Sequence, residues 1–515
     1  MTAVQQHPQG QGQVQGTGQA QAPGRAHRPS AGVPDAAPRT RRRVTVHRPS
    51  STPPGRARLP LVPRSVAGRV RALTVLTLLS LAGLLAVTAA AVGDARAGLR
   101  VIGHDAGRQV VETGNLYFHL STMDAQLANA LLIGEGQNAG ADRQDALRKY
   151  DRSRWAAGEA LLNAARLADE NPEKATARES LDALARYEQL AGRALLLSGD
   201  GRHSPAEVQR VYQQATDLMK RHLLPKAYNL TLDNGSLVRT TYQSKRDAVL
   251  VGQIGVVVLG LLTLGLLLAL QIYLLARFRR VLNPALAAGS LLLAVLVAAS
   301  TVMLAGQQGH MSRAKSDGFD SLLALWRVRG IGTNAHADVT RALLDPQHAD
   351  TYGQVYLSKA QTLLFWKDDT NLTSYVEALQ EDIGSSGDPT RKGRLGLLGS
   401  EADHTRLPGQ REAYRTLLRN YLAFQRSDAQ AWNLIREGQG GQAARTRLNG
   451  RSSQAFQAYD ESLNALITIH DAALRDAVEK GDARTRLWNT VLPVAGLVLV
   501  VLVLGGVRPR LAEYR

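Results

Sequence analysis

Four long stretches without a single charged side chain constrain this chain more than anything else in it. Ala72–Gly93 is 22 residues of this kind. Ala248–Ala276 follows, with the solid apolar run Ile254–Leu270 inside it, then Ala285–Gly306, and then Leu487–Val507 with Trp488 at its border. At 1.5 Å per residue the first stretch makes ~33 Å of helix, enough to cross a ~30 Å hydrocarbon core. Inside lipid each backbone N–H and C=O must be satisfied within the segment, so such a run is a helix. The expected fold is an all-α membrane protein with four transmembrane helices, at 71–93, 248–276, 285–306 and 487–507. The mean hydropathy lies just below zero. That argues against a channel or carrier mostly buried in lipid and leaves room for large polar domains.

The basic residues orient these spans. Residues 1–71 hold 12 Arg and one acid, Asp35. The connection 277–284 carries Arg277, Arg279 and Arg280 with no acid, and the tail 508–515 carries Arg508, Arg510 and Arg515 against Glu513. By contrast, residues 94–247 hold 21 basic and 20 acidic residues, and residues 307–486 hold 23 and 22. Short Arg-rich segments stay on the cytoplasmic side. The chain is therefore expected in the plasma membrane, multi-pass, with both termini cytoplasmic. Its order would be a disordered basic arm (1–70), a first extracytoplasmic bundle (94–247), a cytoplasmic turn (277–284), a second extracytoplasmic bundle (307–486) and a cytoplasmic tail (508–515). AVTAAA (Ala86–Ala91) looks like a cleavage site, but the apolar run is longer than a signal-peptide core and the arm before it far longer than a signal n-region, so an uncleaved anchor is expected. The arm has no aromatic residue on which a base could stack, so contact with anionic lipid is expected there and nucleic acid is not.

Between the spans the pattern is helical. Leu99, Ile102, Val110, Leu116, Leu120, Met123, Leu127 and Leu131 repeat at helical spacing, and GEGQNAGAD (Gly134–Asp142) ends that helix. A second helix is expected over about 143–168. A third starts at Asn171–Pro172–Glu173 and runs to about 197. A fourth starts at the capping box Ser204–Glu207 and is interrupted at Pro225 before it enters the second span. Residues 307–486 follow a similar plan, with an apolar-periodic Phe319–Leu344, a Gly/Pro-rich insertion Gly384–Gly409, and a last helix marked by Phe456, Tyr459, Leu463, Leu466, His470, Ala473 and Ala477. ANALLIG (Ala128–Gly134) is echoed by TRALLDP (Thr340–Pro346), and AYNLTLDN (Ala227–Asn234) by AYDESLNA (Ala458–Ala465). Two four-helix-bundle-like domains from a duplicated span–bundle–span unit are expected.

The chain contains no cysteine, which excludes disulfide scaffolds, thiolate metal sites and thiol catalysis. It also has no GxxxxGK[ST], HExxH or GxSxG motif. No catalytic residue, cofactor or metal is expected, so the chain reads as a non-enzyme. The spans hold no acid, histidine or base, which leaves an ion or proton path without supporting groups. Asp124 and Asn129 lie beside the apolar stripe of the first outer helix. They read either as a polar layer that contacts a ligand or partner and specifies packing, or as ordinary solvated or interhelical hydrogen-bonding positions. His470 lies on the stripe of the last helix and reads as a partnered core histidine or as a pH-sensitive switch. Glu401, Asp403 and His404 cluster in the insertion, more as a polar loop than as a metal site. Pro493 is expected to kink the fourth span, and Gln307–Gln308–Gly309 to weaken the third. Thr45, after Arg41–Arg43, is a candidate phosphorylation site. Arg277, Arg279, Arg280, Arg508 and Arg510 are the candidate cytoplasmic relay surface.

The basic arm, RALTVLTLLSLAGLLAVTAAAVGDARAGLR (Arg71–Arg100), LSTMDAQLANALLIG (Leu120–Gly134) and the short tail RPRLAEYR (Arg508–Arg515) together resemble the actinobacterial GlnX-type tetraspan membrane sensors. The resemblance covers residues 65–515 as architecture. It implies a relay of amino-acid availability between an extracytoplasmic solute-binding lipoprotein of the glutamine-binding type and a cytoplasmic Ser/Thr kinase of the protein kinase G type. No ligand residue is carried over from it. The leading expectation is a non-enzymatic transmembrane signal relay. An envelope scaffold and an accessory subunit of a solute transporter are the competing readings. A second copy of the chain is a further candidate partner.

Overall fold

In a computed structural model, the structure describes residues 66–134, 140–167, 171–199, 202–278, 283–366, 371–385, 394–402, 405–448 and 450–512. These belong to one compact unit that begins at Val62. The first helix, α1 (Val66–Arg100), carries the first apolar run and passes through a five-residue π-turn, Val101–Asp105, into α2 (Ala106–Ile133). Gly134, at a left-handed φ of 65°, closes α2, the role glycine serves best at a helix end. The helices α3 (Gly140–Leu167), α4 (Asn171–Gly199) and α5 (Pro205–Leu218) follow. The Ser204 side chain accepts from the Glu207 N–H, while the Glu207 carboxylate turns to His203 instead of closing the box. A second π-turn, Met219–Leu223, leads into α6 (Leu224–Phe278). The interruption expected at Pro225 is this π-turn: proline supplies no N–H and crowds the carbonyl four residues back, and the wider turn absorbs both.

The second span lies within α6, and the third begins α7 (Pro284–Arg313). A π-turn at Ala314–Asp320 joins α7 to α8 (Ser321–Leu344). Gln307 and Gln308 do not weaken α7. The Gln307 amide donates to the Gly481 carbonyl at 3.0 Å and the Gln308 amide to Gln253 at 3.2 Å, and the irregularity comes at Ala314 instead. The remaining helices are α9 (Ala349–Leu363), α10 (Leu372–Ser385), α11 (Leu397–Ala402), α12 (Gln410–Arg436), α13 (Gly440–Leu448) and α14 (Arg451–Ala512). This second head region is more finely divided than the first, because short helices fill the space between α8, α12 and α14. α14 continues through Pro493 as one helix.

Among the described residues there is no strand, and four helices are long and apolar enough to cross a membrane. They pack around Leu81, Leu84, Val256, Leu293 and Leu499, while Leu79, Leu261, Leu291, Val302 and Leu497 stay exposed on the outside. An apolar surface of that extent is covered by lipid in a membrane and is rarely tolerated in water. Beyond the spans, one core gathers α2–α5 and the start of α6 around Leu120, Leu127, Leu161 and Tyr187. A second gathers α8–α12 and α14 around Leu325, Tyr414, Phe424 and Tyr459. α14 leans on the two junctional π-turns that follow a span helix, Val101–Asp105 and Ala314–Asp320. A Cβ on Gly103 would come within 2.5 Å of Val478, and one on Gly318 within 2.7 Å of Leu474.

Candidate functional site

α8 is the anomaly from which the site is built. Its sequence looks half polar, yet Thr333, Asn334, His336, Asp338, Thr340 and Arg341 are all buried. The reason is its position. α2 packs along one side, and α9, α12 and α14 lie on the others. α2 and α8 approach closely enough that a Cβ on Gly330 would fall 2.1 Å from the Tyr117 ring.

Arg341 points into this seam with none of its side chain exposed. Its guanidinium donates to Asp124 of α2 through Nε at 3.2 Å and Nη2 at 2.5 Å, and to Asp338 through Nη1 at 2.5 Å. Asp124 also accepts from the Tyr187 hydroxyl at 3.2 Å and the Thr216 hydroxyl at 2.8 Å. Lys359 of α9 donates to Asp338 and to the Asn334 amide oxygen, each at 2.5 Å. Two carboxylates and two cations thus sit in one desolvated cluster that spans both halves of the chain. Burial pushes the Arg341 pKa down, but Asp124 and Asp338 outweigh it and hold it well above the ordinary value. Burial likewise pushes Asp338 up, and Lys359, Arg341 and Lys220 more than reverse this, so it stays ionised. Lys220 stands beside the cluster over the Tyr352 ring, 4.5 Å from its centroid. Burial, with Arg341 next in weight, lowers its pKa to about 8.

Such a cluster contributes little stability over a well-packed apolar seam, because desolvation offsets the Coulombic gain. What it does fix is register, since sliding α8 along α2 would leave buried charges unpaired. Next to it, the Thr340 hydroxyl donates to the Asn129 amide oxygen at 3.0 Å. The echoed segments ANALLIG and TRALLDP therefore touch each other. Farther out, the seam opens into a cleft of about 290 Å³ lined by Leu131, His203, Gln209, Tyr212 and Leu344. The Tyr212 hydroxyl is buried without a hydrogen-bond partner. Asp345, at the end of α8, is held by the side-chain amides of Gln209 and Gln213, both at 2.9 Å.

Asp124 and Asn129 are thus brought together on the α2–α8 seam. His470 is elsewhere, where α14 meets the Ala314–Asp320 turn. Its Nε2 lies 2.6 Å from Glu401 and 3.2 Å from the Gln410 amide, and its Nδ1 lies 2.5 Å from the Asp317 carbonyl. Burial pushes its pKa down, but Glu401 and the Asp317 carbonyl raise it above the ordinary value. Asp403 and His404 lie outside the described residues, as do Thr45, Arg279, Arg280 and the side chains of Arg277 and Arg510. Arg508 is exposed near the end of α14. Sequence reasoning missed Arg341, Asp338 and Lys359. The signal available was the charged pair Asp338/Arg341 inside an otherwise apolar-periodic helix.

No curated protein and no solved structure matches this chain. Residues 98–243, which carry Asp124, Asn129 and Lys220, match the family model described as an actinobacterial sensor domain. In this segment the chain is similar to the sensor domains of actinobacteria, and the match supports a place among their sensor families.

Proposed function

We propose that the chain is a non-enzymatic transmembrane relay, in which an extracytoplasmic head recognises an amino acid or a solute-binding lipoprotein and a cytoplasmic Ser/Thr kinase pathway responds. One observation carries this reading. α2 and α8 are each joined through a π-turn to a span helix, and Arg341 locks them to each other between Asp124 and Asp338. An event at the outer end of the seam can then be answered by a joint shift of two helices that both reach the membrane. Packed interfaces of this kind have discrete arrangements rather than a continuum, and a difference of ~1–3 kcal/mol in ligand affinity between two arrangements is enough to couple them. A solute has the cleft beside Tyr212, and a protein partner has the outer face of α3. There Trp155 and Leu162, seven residues apart, are 69% and 54% exposed, and exposed Trp is a favoured anchor of protein interfaces.

A photo-crosslinking amino acid at position 155, in cells with and without candidate amino acids, tests the reading. A relay gives capture of a solute-binding protein that changes with nutrient state, together with a matching change in kinase-dependent phosphorylation. Constant capture with no phosphorylation change would favour an envelope scaffold. Recovery of a permease, with loss of uptake on deletion, would favour a transporter subunit.

A further inference from the structure

Where α1 and α14 run side by side at the head-side edge of the spans, they separate. Two tight contacts bracket the gap. A Cβ on Gly481 would fall 2.3 Å from the Leu99 side chain, and one on Gly496 would fall 2.7 Å from Leu85. The intervening 15 residues of α14 rise ~22 Å. Between the contacts lies a crevice of about 400 Å³ whose lining includes Leu85, Arg96, Trp488, Asn489, Leu492 and Pro493.

The lining is graded along the membrane normal. Toward the bilayer interior the walls are aliphatic. Toward the head they are Arg96, Trp488 and Asn489, at the level where the charged pair Asp94–Lys245, 2.8 Å apart, marks the end of the apolar run. That pair commits Asp94 to Lys245, and among the described residues no carboxylate pairs with Arg96. Pro493 has no N–H, so the Asn489 carbonyl four residues before it lacks its helical donor. The head end of the crevice thus offers a guanidinium, an indole N–H and an amide as donors, and a freed carbonyl as acceptor. Asn489 and Pro493 are exposed, so the crevice opens sideways to the surrounding lipid.

We propose that this crevice is a binding site for one anionic phospholipid. Its phosphate would pair with Arg96, a headgroup hydroxyl would donate to the Asn489 carbonyl, and an acyl chain would lie along Leu85 and Leu492. Guanidinium and phosphate form a charge-assisted pair stronger than a neutral hydrogen bond. A phosphatidylglycerol headgroup supplies both the negative charge and the donor hydroxyls. Phosphatidylcholine brings a bulky cation and no donor.

The test uses the full chain in detergent, stripped of loosely held lipid and offered equal phosphatidylglycerol and phosphatidylcholine, with native mass spectrometry as the readout. The expected result is about one retained phosphatidylglycerol per chain, favoured about tenfold over phosphatidylcholine, a ratio worth about 1.4 kcal/mol. Arg96→Gln should remove that preference. Gly93→Leu should fill the crevice and block retention, because a Cβ at Gly93 meets nothing within 4 Å and the fold should tolerate it. Equal retention of both lipids would overturn the site, as would an unchanged preference in Arg96→Gln. Displacement by inorganic phosphate would instead identify a soluble-anion site and also overturn it. Should either variant fail to fold, a photoactivatable phosphatidylglycerol on the unmodified chain decides, and absence of crosslinks to the peptide containing Trp488 and Leu492 counts against the proposal.

Discussion

The two head regions start alike and differ in how they treat buried charge. Each begins with a span helix, a π-turn and a long helix, α2 in one and α8 in the other. Among its described residues, the first region buries a single acidic or basic side chain, Asp124. The second buries Asp338, Arg341, Asp345, Asp382, Arg394, Glu401, Asp428 and Arg447. The acid of the first finds its cation on the second, 217 residues away. The first region is therefore electrostatically complete only when the second is docked against it.

The most severe way to break this arrangement is Arg341→Met, which strips Asp124 of its cation and leaves Asp338 to Lys359. It should cost about 3–5 kcal/mol, read from denaturant unfolding in detergent. Adding Asp124→Leu should recover much of that loss. If the double variant were as unstable as the sum of the singles, the two residues would not be coupled. Gly330→Ala attacks the same seam sterically, by pushing a methyl into the Tyr117 ring, and should cost about 1–3 kcal/mol.

Two titrations contrast the regions. Lys220, in the first, has its folded pKa lowered to about 8 from 10.5. The folded state then binds fewer protons than the unfolded one between those values, so stability rises with pH from about 8 to 10.5. Lys220→Met should flatten that rise and add about 1 kcal/mol at neutral pH. His470, in the second, has its folded pKa raised above 6.5. Its contribution is complete below pH 6.5 and is lost as pH climbs through the raised value, so the slope there has the opposite sign. Glu401→Gln should erase that loss, with a change of about 1 kcal/mol in melting experiments across the neutral range. The smallest effect is expected from Tyr212→Phe. Its hydroxyl has no partner to lose, so stability should change by less than about 1 kcal/mol. Any larger effect on signalling would then locate the ligand near Tyr212.

Much of this architecture is legible in the sequence because it follows from periodicity and charge. The four apolar runs, the start of α5 at Pro205 and the end of α2 at Gly134 need only local rules. Asp124 stands out because an acid beside a core stripe is costly to bury. Its role does not follow from that, because Arg341 lies in a different periodic segment and nothing local says that the two helices meet. α8 shows the limit most clearly. His336, Asp338 and Arg341 look like a solvated face, and only the packing of α8 among α2, α9, α12 and α14 turns that face inward. The order span helix, π-turn, long helix occurs in both halves, which fits a duplicated unit. Among the described residues, the second half is divided into more helices between its two spans than the first.

α14 extends from Arg451 to Ala512 as one helix, a rod of ~93 Å. It is gripped where Leu474 and Val478 press on the glycines of the two junctional π-turns. From that grip, one arm reaches ~35 Å into the head and the other ~51 Å through the bilayer. Such a rod behaves as a lever with unequal arms. A sideways push of 1 Å on the head end becomes a swing of roughly 1.5 Å at the far end, as long as Pro493 does not bend.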